Sequence, residues 1–403
     1  VKLKEILDDD LIDLLGEAQE GETQAATLAR SLFSPDEIDA AQGADAKDAA
    51  LTVLSWAKDN RLFNQHAAEV AAEAVDEKAV LEPQQLFSQN SVQEVFRKKP
   101  INLICYNELE KKVVVFTRSK LTAAEQKLVP VQAVPGYSIE YSVGGSAGVK
   151  GDPPPPQRHY PYHLHVGRYA CGSSVFPANC IGAGTFGLLV RDAAGKMFGL
   201  TNNHVTGACN NAQPGLPILA PGPLDVSHEH ANPFTIGRHS SLLPINDGIP
   251  ENVDINSNCD AACFEILDED RVSSSQGGRY DTPALVAEPV PGRKVSKVGR
   301  TTGFTEGKIV GQAVCPVPVS YSVSEYGVKK DVFFADVYVV QGLTEVFSKP
   351  GDSGSLVVQI EPDGSVTSVG LVFAGNTRGE TFVLPLSKIL KDMNLSVVSG
   401  HNI

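Results

Sequence analysis

The chain has 403 residues, 42% of them hydrophobic, with seven cysteines and a formal net charge of −14. That length predicts at least one large core and two or three domains. No apolar run approaches the ~20 residues of a membrane span, and lysine and arginine form no long run, so neither a membrane nor a nucleic acid is an expected partner. The opening "VKLKEILDDDLIDLL" is too acidic for a secretory signal, and an odd number of scattered cysteines fits reduced, buried thiols; the expected compartment is the cytoplasm.

Residues 1–95 are rich in Ala, Leu, Glu and Asp, with apolar residues at helical spacing: Leu11, Leu14 and Leu15, then Leu51, Leu54, Ala57 and Leu62. Three or more helices are expected, one of them starting at Ser34-Pro35-Asp36-Glu37. Residues 96–145 read as a small α/β unit. Strands at Ile101–Tyr106 and Val113–Thr117 flank a turn, Thr122 and Glu125 have the spacing of a helix-starting capping box, and Ser138–Val143 is a further strand. The stretch "GGSAGVKGDPPPPQ" marks a Pro/Gly linker at 146–160. From 161 to 403, short β-branched runs alternate with Gly, Pro and Asn turns, as expected of an all-β barrel or sandwich.

Three segments of this β region carry chemistry. "GAGTFGLLVRDAAGKMFGLTNNHVTGAC" holds two strands joined by a turn, the second running out at His204. "ENVDINSNCDAACFEI" sets Asp260 at the start of a small-residue strand, with Asp254 as its rival in a more loop-like run. "SKPGDSGSLVV" places Ser353 between two glycines. A serine hydroxyl is a poor nucleophile until a base takes its proton, imidazole titrates in the right range, and a carboxylate can hold the imidazole in the needed tautomer.

The order His204, Asp260, Ser353 in T-N-N-H-V, D-A-A and G-D-S-G resembles the trypsin-like, chymotrypsin-fold serine peptidases, over roughly Gly182 to Leu390. "KVGRTTGFTEGKIVG" and "VGLVFAGN" resemble the bacterial and plant branch. The resemblance implies a double β-barrel whose three residues meet in the cleft between the barrels. It implies an oxyanion hole from the N–H groups of Gly351 and Ser353, and a primary pocket set by Phe347, six residues before the serine, and by Phe373, Ala374 and Gly375. No acid stands at that base position, so a small or medium apolar residue before the scissile bond is expected; Glu345 is the nearby acid that would change this. In the secreted digestive enzymes of that family the aspartate beside the serine pairs with a new amino terminus, so here Asp352 must use an internal partner, or the loop must wait for one, brought by a partner docking on the helical module.

The helical stretch "ALTVLSWAKDNRLFNQHAAEVAAEAV" resembles effector-associated, death-like domains fused to bacterial peptidases in defence systems, which implies a protein partner docking there. An ordinary helical cap is the other reading. The expected function is a serine endopeptidase acting on proteins or peptides through an acyl-enzyme, regulated by its N-terminal region; the alternative is a non-catalytic scaffold or adaptor keeping a peptidase fold. No metal or cofactor is expected: His163 with His165, and His228 with His230, read as exposed histidines, Cys259 and Cys263 as buried small hydrophobes, and Gly299, Gly303 and Gly307 as hairpin turns.

Overall fold

A computed structural model of the chain describes residues 41–64, 89–149, 161–226, 233–249 and 252–403, with the single positions Phe33, Ile38, Leu81 and Phe87. The expected helical stretch at Leu11, Leu14 and Leu15, the helix start at Ser34–Glu37, the proline run of the expected linker, and the pair His228 and His230 lie outside the described residues.

The described fold is mostly β. In the second half, six antiparallel strands close on themselves: Lys294–Gly299, Leu356–Ile360, Val366–Gly375, Glu380–Pro385, Tyr338–Gly342 and Gly303–Ala313, the last pairing back onto the first. Alternation explains why these segments form a barrel. Gly303–Ala313 buries every second residue over its first nine positions, so one face turns to a filled interior and the other outward. Val295, Ile309, Val340, Phe347, Val357 and Val369 pack together as one core cluster. The first half is an eight-stranded antiparallel sheet running from Ser396–Val397 to Gly184–Thr185, with Met197–Thr201 and Ala262–Ile266 side by side near its middle. Its separate core contains Phe186, Phe264, Ile218 and Val272. Of the double β-barrel expected in this region, the structure has one closed barrel and one open eight-stranded sheet.

The segment expected as a separate α/β unit is joined to the barrel. Ile101–Asn107 pairs with Gly303–Ala313 through Cys105↔Ala313 and Tyr106↔Gln312, and the sheet continues through Lys112–Thr117 and Tyr137–Val143 to Gln132–Val134. Sequence periodicity locates these strands but carries no information about an edge two hundred residues away. The capping box does form, with the Thr122 N–H donating to Glu125 at 2.6 Å and the Glu125 N–H to Thr122 Oγ1 at 3.3 Å. It opens only a single turn, Glu125–Lys127, because Pro130 follows at once.

Helix α1 (Ala46–Asp59) begins at Asp45, whose carboxylate accepts from the Asp48 N–H at 2.9 Å while Asp48 accepts from the Asp45 N–H at 3.2 Å. Its face bearing Leu51, Leu54, Trp56 and Ala57 is buried in the same cluster as Ile104 and Val115 of the neighbouring strands. The Trp56 indole donates to the Phe87 carbonyl at 2.9 Å and meets the ring of Phe96, on helix α2 (Asn90–Lys98), edge-on. The helix therefore shares its core with the barrel extension. Leu54 is fully buried, so Leu54→Ala should cost about 2–5 kcal/mol. Urea unfolding of the full chain should show this loss in the transition that also melts the barrel; a separate early transition would mean that α1 is an independent unit.

Candidate functional site

Strand Met197–Thr201 delivers the chain to Asn202, and a wide helical turn, Asn203–Gly207, presents His204. The next three residues, Ala208, Cys209 and Asn210, all have left-handed backbone with φ of 47°, 53° and 76°. Such a run is costly for residues with a Cβ. It is held by an amide pair: Asn203 Nδ2 donates to Asn210 Oδ1 at 2.7 Å, and the Asn210 N–H donates to Asn203 Oδ1 at 3.0 Å. Sequence reading passed over both asparagines.

Asp260, wholly buried, is the acid that reaches His204. Its Oδ2 lies 2.6 Å from His204 Nδ1, and its Oδ1 accepts from the His204 backbone N–H at 2.9 Å. The Tyr321 hydroxyl donates to the same Oδ2 at 2.9 Å. A buried carboxylate without such partners would be costly, and three donors make its burial tenable. Burial and the Asp260 charge push the Tyr321 phenol well up, which keeps it a donor. Tyr321 comes from the hairpin Val317–Val323 and Val328–Phe334, and nothing in its sequence context announces this contact. The rival Asp254 is exposed and caps its own turn, accepting from the Asn256 N–H at 3.0 Å.

Ser353 sits in the turn before strand Leu356–Ile360 and lines the same cleft as His204. Among the described residues no hydrogen bond joins the Ser353 hydroxyl to the His204 ring; catalytic hydrogen bonds are often loose before substrate binds. Gly351 has φ of 94°, a conformation a side chain would strain. Around it, the N–H groups of Asp352, Gly354 and Ser355 donate to the carbonyls of Lys349, Val372 and Asp352. Those of Gly351 and Ser353 have no acceptor among the described residues. The turn is clamped from the other sheet: Thr185 N–H donates to the Ser353 carbonyl at 2.8 Å and Thr185 Oγ1 to the Gly351 carbonyl at 2.9 Å.

Asp352 has the internal partner that its position requires. Its fully buried carboxylate accepts from the N–H groups of Thr301, Thr302 and Lys349 at 2.8, 3.1 and 3.0 Å, and from Thr302 Oγ1 at 2.7 Å. Lys297 Nζ, equally buried, stands 3.5 Å from Oδ2 and also donates to Thr302 Oγ1 and the Gly303 carbonyl. Gly299 makes room for this cluster, since a Cβ there would come within 2.4 Å of Asp352 Oδ1.

The cleft holds about 520 Å³. Phe373, Ala374 and Gly375 line it, whereas Phe347 does not. Phe347 is fully buried inside the closed barrel, with its ring under Lys297 and its carbonyl accepting from Thr305 Oγ1 at 2.7 Å. Its size and apolarity place it in the barrel core, and its neighbours Val346 and Ser348 face the cleft instead. Glu345 is exposed and is not part of the lining; Glu325 and Lys349 are the charged residues that join His204 there. Cys180 also lines the cleft, but burial, with a smaller contribution from Glu325, raises its thiol pKa and makes it a poor nucleophile. Among the described residues, no three His, Cys, Asp or Glu side chains gather as a metal site.

Residues 282–396 match the family described as the Nal1 C-terminal domain. The rice (Oryza sativa subsp. japonica) Protein NARROW LEAF 1 is 34% identical over 89 residues, which is 22% of this chain and 14% of the rice protein. The match thus spans only a small part of that relative's length. Among solved structures, the chain is similar to Thermobifida fusca Protease A, at 18% identity and a TM-score of 0.37, over 57% of this chain and 100% of that one. It is also similar to a Nocardiopsis protease, at 19% identity and a TM-score of 0.36, over 57% of this chain and 97% of that one.

Replacing Lys297 with Met would leave the Asp352 carboxylate buried without its cation, and removal of one partner of a buried pair costs about 3–5 kcal/mol. Chemical denaturation of Lys297→Met should show a loss of that order. A change of a few tenths would mean that the backbone donors alone suffice for Asp352.

Proposed function

We propose that the protein is a serine endopeptidase that cleaves peptide bonds through an acyl-enzyme. The observation that carries this reading is the convergence on one cleft of the His204–Asp260 pair and of Ser353, beside a turn whose Gly351 and Ser353 N–H groups have no acceptor among the described residues. In this reading His204 takes the Ser353 proton as the hydroxyl attacks the carbonyl, and returns it to the leaving amine. Asp260, steadied by Tyr321, keeps the Nδ1 proton on its own side of the ring and stabilises the imidazolium that forms. The Gly351 and Ser353 N–H groups receive the oxyanion; a donor of this kind is typically worth ~3 kcal/mol of barrier. Because Lys297 already holds Asp352, the turn needs no new amino terminus, so the enzyme is competent without an activating cut. The scaffold alternative has in its favour only the absent Ser353–His204 hydrogen bond, which a substrate-free peptidase can share. The adaptor role imagined for the helical region is not part of the proposal, because the apolar face of α1 is occupied by the core.

Fluorophosphonate labelling and intact mass of the uncut chain test the reading. Wild type should gain one adduct, and Ser353→Ala none; a wild type that takes no label while remaining folded would favour the scaffold. Asp260→Asn should lower kcat by about 10⁴ through the wrong imidazole tautomer, with Asp254→Asn close to wild type. Tyr321→Phe removes one hydrogen bond to a charged group and should reduce kcat about tenfold or more with KM unchanged, whereas an unchanged kcat would confine Tyr321 to packing.

Specificity follows from the lining rather than from Phe347. Val346, Ser348, Ala374, Gly375 and Gly379 make a small, mainly apolar wall. A peptide library should therefore show Ala, Val or Leu before the cut, with each methylene-scale change worth about 10–200-fold. A profile dominated by Arg or Lys would instead assign the pocket to Glu325.

A further inference from the structure

Strand Val366–Gly375 forms one wall of the cleft, and past Val372 its edge nearest Ser353 has left the partner strand Leu356–Ile360. An extended peptide lying in the cleft has one simple way to be held there, by adding as a strand to that edge. At Gly375 the edge is already taken by the chain itself. The Gly148 N–H donates to the Gly375 carbonyl at 3.0 Å, the Gly375 N–H donates to the Gly148 carbonyl at 3.3 Å, and the two residues form an antiparallel bridge. Gly148 and Val149 also line the cleft.

The segment leading to Gly148 is anchored along its length. Asn102 Nδ2 donates to the Gly144 carbonyl at 2.6 Å, the Gly145 N–H donates to Glu380 Oε2 at 2.7 Å, and Asn376 Nδ2 donates to the Ser146 carbonyl at 3.1 Å. Glu380 is itself buried, and Asn376 Nδ2 donates to it as well. The glycines suit this course: a Cβ at residue 144 would strike the Glu380 carboxylate, and one at residue 145 would stand 2.7 Å from Phe116 Cβ. Residues 144–148, where sequence composition places the start of a linker, are therefore fixed by six hydrogen bonds, counting that from the Gly144 N–H to the Thr117 carbonyl, to four different strands or their ends, against the wall of the candidate active site.

We propose that residues 144–149 act as a built-in specificity element: they occupy the Gly375 edge as a substrate strand would, and so limit how far a peptide can pair on that side of the cut. The inference rests on the peptidase reading for the identity of the ligand. An enzyme with a free edge gains rate as the peptide lengthens past Gly375. Here the gain stops where Gly148 begins, and a longer substrate must displace the segment or turn away from it.

The test uses acetyl-(Ala)n-p-nitroanilides with n from one to four, together with p-nitrophenyl acetate, which is too short to reach Gly375. In the full chain kcat/KM should level off with length. Gly148→Pro deletes the N–H that bonds Gly375, and Asn102→Ala loosens the other end of the segment, away from the cleft. In both variants the longer anilides should gain about tenfold, the worth of one or two backbone hydrogen bonds, with p-nitrophenyl acetate turnover unchanged. Binding of the four-residue anilide to Ser353→Ala should tighten by a similar factor when Gly148→Pro is added. The same length profile and the same binding in parent and both variants would overturn the proposal while leaving the peptidase reading intact. If p-nitrophenyl acetate is not turned over at all, the peptidase reading fails, and the binding comparison alone decides whether the segment competes for the edge.

Discussion

The buried carboxylate of Asp352 fixes the geometry on which the site depends. Four hydrogen bonds and the Lys297 ammonium converge on it, and it lies between Gly351 and Ser353 in sequence. A carboxylate held on so many sides leaves its own backbone little freedom, so the glycine before it and the serine after it are placed by the same set of contacts. Two features of the barrel make this possible. Lys297 points inward from a strand that pairs on both sides, and Gly299 lacks the side chain that would fill the space. A second buried pair, Arg300 with Asp225, reinforces the same corner. The Arg300 N–H donates to Thr185 Oγ1, which in turn donates to the Gly351 carbonyl, so the barrel and the first sheet grip the turn together.

What was legible in the sequence was local chemistry in a strand context. His204 at a strand end, Asp260 ahead of a run of small residues and Ser353 between glycines each announce themselves within a few neighbours, and the structure brings His204 and Asp260 into contact. Asp254 fails on the same local ground, because an aspartate followed by Ile-Asn-Ser caps its own turn before it can reach anything else. Phe347 shows the limit of counting back from a motif: it stands six residues before Ser353, but a large apolar ring is drawn into the barrel interior and its neighbours face the cleft. Tyr321, Lys297 and the Asn203–Asn210 pair were not legible at all. Each acts through a partner that is distant in sequence or through a backbone run with left-handed φ, and neither periodicity nor composition records such contacts.

The same reasoning explains the fate of residues 96–145. Alternation and β-branched residues located Ile101–Asn107, Lys112–Thr117 and Tyr137–Val143 to within a residue or two. What joins them to the barrel is the free edge of Gly303–Ala313 beyond the point where Lys294–Gly299 stops covering it. That edge would otherwise present unpaired backbone groups to solvent, and Cys105 and Tyr106 cover it. The helix α1 then covers the outer face of the added strands. The described residues 46–59 and 90–143 are accordingly an extension of the barrel sheet and its cover, and residues 144–149 continue from them into the cleft.

Two of the segments that line the cleft carry none of the candidate catalytic groups themselves. One is the 144–149 segment on Gly375. The other is Ser322, Val323, Ser324 and Glu325, which line the cleft immediately after Tyr321, whose hydroxyl holds the carboxylate of Asp260. Tyr321 is wedged by ring contacts to His204 and Phe334, and Phe334 in turn meets Phe373 of the cleft wall at 4.9 Å between ring centres. The aromatic contacts therefore form a chain from the pocket strand, through the hairpin, to the imidazole. Packed side chains in register transmit displacement because interiors are dense and have little room to absorb it. The hairpin that holds Asp260 through Tyr321 and the cleft wall at Phe373 are therefore packed against each other through Phe334, so neither side chain set can shift without disturbing the other.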